Sequence, residues 1–185
     1  MEILKTLLDG RLLITAGDIT RYPCDAIVNA ANSTLLGGGG VDGAIHEAAG
    51  PDLLAECRRL RATFLPEGLP PGQAVATSPG KLSALGIRRI IHTVGPIWRG
   101  GNHDEPRLLA SCYRSCLEIA RAENLGSIVF PAISTGVYGF PKNLGAPIAF
   151  RAVADFLNIS DRPATVTLVF YSRSDAEIFL EAIHA

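Results

Sequence analysis

Apolar positions recur along this chain in two periods, and the switch between them marks out the elements. Short runs rich in β-branched residues predict strands at 12–15, 26–29, 74–77, 89–94, 127–131 and 165–170. Between them, helical spacing takes over. One helical stretch covers 42–64 and breaks near Gly50-Pro51, where proline suits a first turn and Asp52 complements the positive helix end. A second covers 107–122, with Leu108, Leu109, Cys112, Cys116, Leu117, Ile119 and Ala120 recurring on one face. Two more are predicted at 145–157 and 175–183, and 66–72 reads as a loop on its proline and glycine content.

Strands that alternate with helices favour an α/β fold, a three-layer α/β/α sandwich with helices on both faces of one sheet. No internal repeat and no dividing linker are visible, so one domain over 1–185 is expected. A chain of this length buries about 70% of its unfolded surface. At 48% hydrophobic and 19% charged residues, it has the material for a packed core and not the composition of a disordered one. The net charge of −1 supplies no global field for polyanions, so nucleic acid is not indicated, although a local anion site is still open. Cys24, Cys57, Cys112 and Cys116 form no C-x-x-C pair and read as buried free thiols. The N-terminus lacks the layout of a signal peptide and no apolar run reaches membrane-span length, so the expectation is a cytoplasmic protein without a membrane partner.

Candidate chemistry concentrates after the second predicted strand. Gly37-Gly38-Gly39-Gly40 opens directly into a helix through Val41-Asp42-Gly43. Glycines cost entropy, and they are useful where backbone N–H groups must come close to a ligand. The first N–H groups of a helix are unpaired and partly positive, which suits a phosphate or diphosphate. A flexible loop without a ligand is the plain alternative. The literal match of Gly38-x-Gly40-x-x-Gly43 to a dinucleotide fingerprint is weak, because 30–36 separate it from the strand and no second strand ending in an acid follows.

Asn29 and Asn32 sit at a strand end, where open α/β sheets gather ligand contacts, and their amides can serve sugar hydroxyls. Turn and cap roles compete with that reading. Asp42 suits a helix start electrostatically, and beside a bound diphosphate it becomes a candidate general base. His46, four residues on, continues to no second histidine and is taken as structural, as is His92 in its apolar strand.

Several motifs, in order from about Leu12 to the C-terminus, resemble macrodomains of the MacroD type. They are Gly17-Asp18-Ile19-Thr20, then Asp25-Ala26-Ile27-Val28-Asn29-Ala30-Ala31-Asn32, then the glycine run with Val41-Asp42-Gly43. His92-Thr93-Val94-Gly95-Pro96 with Trp98 follows, and then residues 131–141 from Pro131-Ala132-Ile133 to Phe140-Pro141. The resemblance implies a mixed, mostly parallel sheet with ADP-ribose in a cleft along the strand ends. It implies that Asp18 accepts from the adenine amine beside the backbone of Ile19, and that Asn29 and Asn32 meet the distal ribose. Gly38, Gly39, Gly40 and Val41 would approach the diphosphate, and Asp42 would position or deprotonate the attacking water. The loop of Ser134, Thr135, Gly136, Val137 and Tyr138 would wrap the diphosphate, with Phe140 orienting the distal ribose. Tyr171 matches an aromatic that stacks on adenine.

Local alternatives stand beside several of these roles. Asp18 could cap the turn with Thr20, Tyr138 could be a core aromatic, and Tyr171 could pack on the last helix. For Phe140 a core role is the lesser expectation. Trp98 and Arg99, in a loop, receive no assignment.

The resemblance therefore implies a hydrolase of ester-linked ADP-ribose, acting on O-acetyl-ADP-ribose or on ADP-ribosylated Asp and Glu side chains of proteins. Asn32 and Asp42 would be the catalytic pair, with no metal and no cofactor beyond the ADP-ribose ligand itself. A non-catalytic ADP-ribose reader and an ADP-ribose 1″-phosphate phosphatase are the alternatives. The intact set of Asn32, glycine run and Asp42 favours hydrolysis over the reader.

Overall fold

The computed structural model describes residues 2–184. Along it run β1 (Glu2–Leu7), β2 (Leu12–Ala16), β3 (Ala26–Ala31), α1 (Gly40–Ala49), α2 (Pro51–Thr63), β4 (Ala74–Thr77) and β5 (Arg89–Val94). These are followed by α3 (Glu105–Ala122), β6 (Ser127–Pro131), α4 (Lys142–Ile159), β7 (Thr165–Phe170) and α5 (Arg173–His184), with 3-10 turns at Ile19–Arg21 and Gly80–Leu85. The strands form one seven-stranded sheet in the order β1-β2-β7-β6-β3-β5-β4. Its middle, from β2 through β7, β6 and β3 to β5, is parallel. The outer pairs, β1 with β2 and β4 with β5, are antiparallel. The sheet is thus mixed and mostly parallel, as expected.

The two-residue period of each strand sorts its side chains onto opposite faces. In β3, Ala26 and Val28 face a core built with α3, α4 and α5, while Ile27 and Ala31 face a second core built with α1 and α2. Ile91 of β5 joins the first core, and Ile90 and Val94 join the second. The same alternation places two polar residues, Asn29 and His92, on the α1/α2 side, directly opposite each other in the parallel register. Both are fully buried.

Asp25 aligns the start of β3 with its neighbours. Its carboxylate accepts from the backbone N–H groups of Gly126 and Ser127, and its carbonyl accepts from those of Arg88 and Arg89. Strand β1 has no counterpart in the sequence reading. Its side chains are mostly exposed, so no apolar alternation announces it, and hydrogen bonding along β2 is what orders it. Among the described residues, no helix is long and apolar enough to cross a membrane.

Candidate active site

The glycine run is shaped by Asn32, immediately after β3. Asn32 Oδ1 accepts from the Thr34 N–H and hydroxyl, at 3.0 and 2.5 Å, and its Nδ2 donates to the Gly37 carbonyl at 3.0 Å. The side chain therefore ties both ends of the connection together, an Asx turn extended across the loop. Leu35, fully buried, pins its middle to the core. Two of the glycines have a steric reason. A Cβ on Gly38 would stand 3.1 Å from Asp42 Oδ2 and 3.2 Å from Asn32 Nδ2. A Cβ on Gly43 would stand 2.6 Å from the Gly38 carbonyl oxygen. The run folds back tightly over the first turn of α1, which starts from Gly39 without a side-chain cap among the described residues.

That first turn carries Asp42, only 4% exposed. Its Oδ1 accepts from Asn29 Nδ2 at 2.7 Å and lies 3.5 Å from His46 Nε2, one turn further along α1. Its Oδ2 is buried and finds no hydrogen-bond partner among the described residues, as do Asn29 Oδ1, His46 Nε2 and Ser134 Oγ. A buried polar atom left unpaired costs about 1–3 kcal/mol, more when charged. Asp42 Oδ2, with Asn29 Oδ1 and His46 Nε2 on the side chains beside it, is the signature of a site that hydrogen-bonds something brought to it.

Beside this cluster lies a cleft of about 610 Å³ along the strand ends. Gly17, Asp18 and Ile19 form one wall, Gly40 and Val41 the helix start, Thr135 and Gly136 the facing loop, and Tyr171 the rim. Asp42 follows Gly40 and Val41 directly on α1, so the buried carboxylate belongs to the turn that walls the cleft without itself being part of the lining.

The facing loop turns on Ser134, which takes a left-handed φ of 65°. Such a conformation is uncommon outside glycine and collects at functional sites. The loop closes on itself through Phe140 N–H to the Ser134 carbonyl and Gly139 N–H to the Gly136 carbonyl. A Cβ on Gly95, after β5, would fall only 2.0 Å from Ser134 Oγ, so the glycine there leaves room for the loop. Trp98 N–H donates to the Tyr138 carbonyl, and the Trp98 ring packs on Phe140 at 4.6 Å between centroids. Residues before α3 are held in turn by Glu105, whose buried carboxylate accepts from the N–H groups of Arg99, Gly101 and His103. Burial works to raise that carboxyl, but the backbone donors outweigh it and pull it down to about 2.

The structure gathers the sequence-predicted residues into two adjoining groups. Asp18, Ile19, Gly40, Val41, Thr135, Gly136 and Tyr171 line the cleft, whereas Asn29, Asn32, Gly38 and Asp42 form a separate cluster joined to it through the first turn of α1. Asp18 also caps the 3-10 turn, with its Oδ1 accepting from Thr20 N–H at 2.9 Å, so the capping alternative and the cleft position coexist. Tyr171 does not pack on α5: it is 91% exposed. Val137 is fully exposed at the loop tip. Tyr138 is half-buried, and its phenol is raised by burial and then by the Asp42 charge.

One expectation about a single residue is corrected. Phe140, for which a core role was the lesser expectation, is 2% exposed and belongs to the α3/α4/α5 core, because Trp98 covers it. His46 sits against Asp42, since positions four apart share a helix face, a placement compatible with the structural role expected of it. The sequence reading also passed over Lys142 and Asp175, which line the far end of the cleft as an ion pair between α4 and α5. Nothing local in sequence joins them. All four cysteines are free and buried, as expected. Among the described residues, no group of three or more His, Cys, Asp and Glu side chains could hold a metal ion.

Comparison with known proteins agrees with this geometry. The Macro domain family model matches residues 28–149. An O-acetyl-ADP-ribose deacetylase of Cronobacter turicensis is 52% identical over 174 residues, 94% of each chain. Among solved structures, the Oceanobacillus iheyensis macrodomain with ADP superposes with a TM-score of 0.88 at 47% identity, covering 94% of this chain and 90% of that one. The Trypanosoma brucei macrodomain in complex with ADP-ribose superposes with a TM-score of 0.81 at 37% identity, covering 94% and 69%. Strand order, glycine-headed helix and relatives converge, and this chain belongs to the macrodomain family.

Proposed function

We propose that this macrodomain binds ADP-ribose along the cleft and hydrolyses an ester on its distal ribose, with O-acetyl-ADP-ribose as substrate. The observation that carries the reading is the buried Asp42 carboxylate, with one oxygen engaged by Asn29 and the other unpartnered among the described residues, on the helix turn whose Gly40 and Val41 line the cleft. Relatives support it: one at 52% identity is named for this deacetylation, and structural neighbours hold ADP or ADP-ribose. In this reading Asp18 and Tyr171 take the adenine, and the start of α1 with residues 134–138 takes the diphosphate. The uncapped N–H groups at that helix start are the matching donors.

The chemistry is addition of water to an ester. Asp42 Oδ2 orients a water and accepts its proton as the oxygen attacks the acyl carbonyl. Collapse breaks the bond to the ribose oxygen, which takes up a proton, and acetate and ADP-ribose leave. Rate comes from positioning and from a base in a site sheltered from bulk solvent. Asn32 and Phe140 act indirectly, Asn32 by setting the glycine run and Phe140 by anchoring the loop.

An ADP-ribose ester on an Asp or Glu side chain presents the same class of bond, so ADP-ribosylated proteins are the second substrate in this proposal. The test is incubation with O-acetyl-ADP-ribose and with a glutamate-ADP-ribosylated protein in parallel, following release of acetate and of ADP-ribose. Turnover of the first supports the deacetylase reading, and turnover of the second extends it to proteins. Binding of ADP-ribose with turnover of neither would make the chain a reader.

A further inference from the structure

Beneath Asp42 lies a line of buried polar side chains that reaches away from the cleft. Asn29 Nδ2, 2.7 Å from Asp42 Oδ1, is also 3.1 Å from His92 Nδ1, and His92 Nε2 is 2.9 Å from Thr77 Oγ1. Thr77 reaches the Ile90 carbonyl at 3.4 Å. The four residues come from α1, β3, β5 and β4, and their exposures are 4%, 0%, 0% and 2%. The sheet register that sets Asn29 opposite His92 makes the line possible.

Donor and acceptor chemistry gives the line one direction. A carboxylate only accepts, so Asn29 must turn its NH₂ toward Asp42. The second hydrogen of that same nitrogen then points at His92 Nδ1, which must be the unprotonated ring nitrogen. The ring proton is left on Nε2, where the Thr77 hydroxyl accepts it and donates onward to the Ile90 carbonyl. Burial, and then the nearby His46, push His92 down to about 3, so the neutral ring that this pattern needs is the form present near neutral pH. Asn29 Oδ1 is the atom left over, buried and without a partner among the described residues.

We propose that His92, its ring proton on Nε2 facing Thr77 Oγ1 and Cys57 Sγ, is a positioning residue: together with the Asp42 carboxylate it holds the Asn29 amide so that Nδ2 faces both acceptors and Oδ1 faces the distal sugar. The carboxylate already favours NH₂ on its side, and a 180° turn would set Oδ1 against both Asp42 and the bare His92 Nδ1. His92 reinforces that orientation by offering the same NH₂ group a second acceptor. It touches no substrate. The inference rests on the deacetylase reading, because the amide it fixes serves that site.

The test compares His92→Gln, His92→Asn and Thr77→Val with the parent protein, in the presence and absence of Asp42→Asn. Asparagine places an acceptor near the Nδ1 position, while glutamine reaches past it. His92→Gln is expected to lower kcat on O-acetyl-ADP-ribose by about ten- to a hundredfold, the scale of a misplaced catalytic group. KM and calorimetric ADP-ribose affinity should stay within about twofold of the parent, and His92→Asn should recover most of kcat. In the Asp42→Asn background, His92→Gln should cost nothing further, since the group it positions is gone. Thr77→Val, which removes one hydroxyl and little volume, should lower kcat in the same direction even if the His92 variants fold poorly. Nitrogen-15 spectra should show one ring proton on His92, on Nε2.

Unchanged kcat in folded His92→Gln, a loss that multiplies with Asp42→Asn, or a proton on Nδ1 would each overturn the proposal. If the parent protein binds ADP-ribose but releases no acetate, the deacetylase reading falls and takes this inference with it. Parent turnover with kcat indifferent to His92 and Thr77 overturns the inference alone.

Discussion

Asn29 Nδ2 lies 2.7 Å from Asp42 Oδ1, and this hydrogen bond joins the middle of the sheet to the opening turn of the first helix. It engages one oxygen of a buried carboxylate and leaves the other unpartnered among the described residues. A charge-assisted bond of this kind is worth about 1.5–3 kcal/mol, enough to hold a single rotamer. The site is therefore preorganised by the fold before any ligand arrives.

In the cleft, Asp18 has two jobs, and they can be separated. Replacing it with Ala removes the acceptor for adenine and the cap on Thr20 together. ADP-ribose affinity should fall by roughly 1.5 kcal/mol, the low end for a bond to a charged group, because the carboxylate is about half exposed. Asp18→Asn keeps an oxygen for the cap and should lose less. Calorimetry reading equal affinity for Ala and parent would take adenine recognition away from this residue.

Gly43→Ala tests the packing of the glycine run without removing any side chain. Alanine in a helix interior is ordinarily better than glycine by about 1 kcal/mol. Here its Cβ would meet the Gly38 carbonyl at 2.6 Å, and that contact is backbone on both sides. The run must move, so the variant should bind ADP-ribose about tenfold or more weakly, since small misplacements of a site are costly. It should also gain no thermal stability. A variant that binds normally and melts higher would show that the run need not stay where it is.

Stability should fall on the acid side of neutrality, and the sign follows from His92. Its folded value is about 3 against an ordinary 6.5, so between those values the unfolded chain holds the extra proton. The contribution is complete above about pH 6.5 and is lost as pH falls toward 3, by at most about 1.4 kcal/mol per pH unit. Glu105, lowered to about 2 from 4.5, adds a loss further down, present above 4.5 and gone as pH falls through 2. Denaturant unfolding between about pH 7 and 5 should show the first slope in the parent protein and not in His92→Asn. Equal slopes in both would assign that acid sensitivity elsewhere.

Much of this architecture was legible in the sequence. The strands Arg89–Val94, Ser127–Pro131 and Thr165–Phe170 have their expected bounds, because buried parallel strands read as unbroken apolar runs, and the short antiparallel edge strand Ala74–Thr77 has its expected bounds as well. Strand β1 was not legible, since an exposed edge strand carries no alternation. His46 was visible one helical turn from Asp42 and was set aside because a lone histidine matched no motif. His92 reads from sequence as a structural residue in a buried strand, but its link to Asn29 does not, because that depends on which strands become neighbours, and β3 and β5 are far apart in sequence. Phe140 was misjudged for a similar reason. The Trp98 that buries it arrives from a loop held by Glu105, a long-range contact without a local signature.

The central claim is that the buried Asp42 carboxylate brings water to the distal ribose of a nucleotide held by its diphosphate. The direct measurement is acetate release from O-acetyl-ADP-ribose under single-turnover conditions by parent and Asp42→Ala, alongside the ADP-ribose affinity of each. The account predicts a rate lower by about 10²–10⁴-fold with affinity nearly unchanged, the weight of a positioned base. A rate within a few-fold of the parent in a variant that still binds would contradict it.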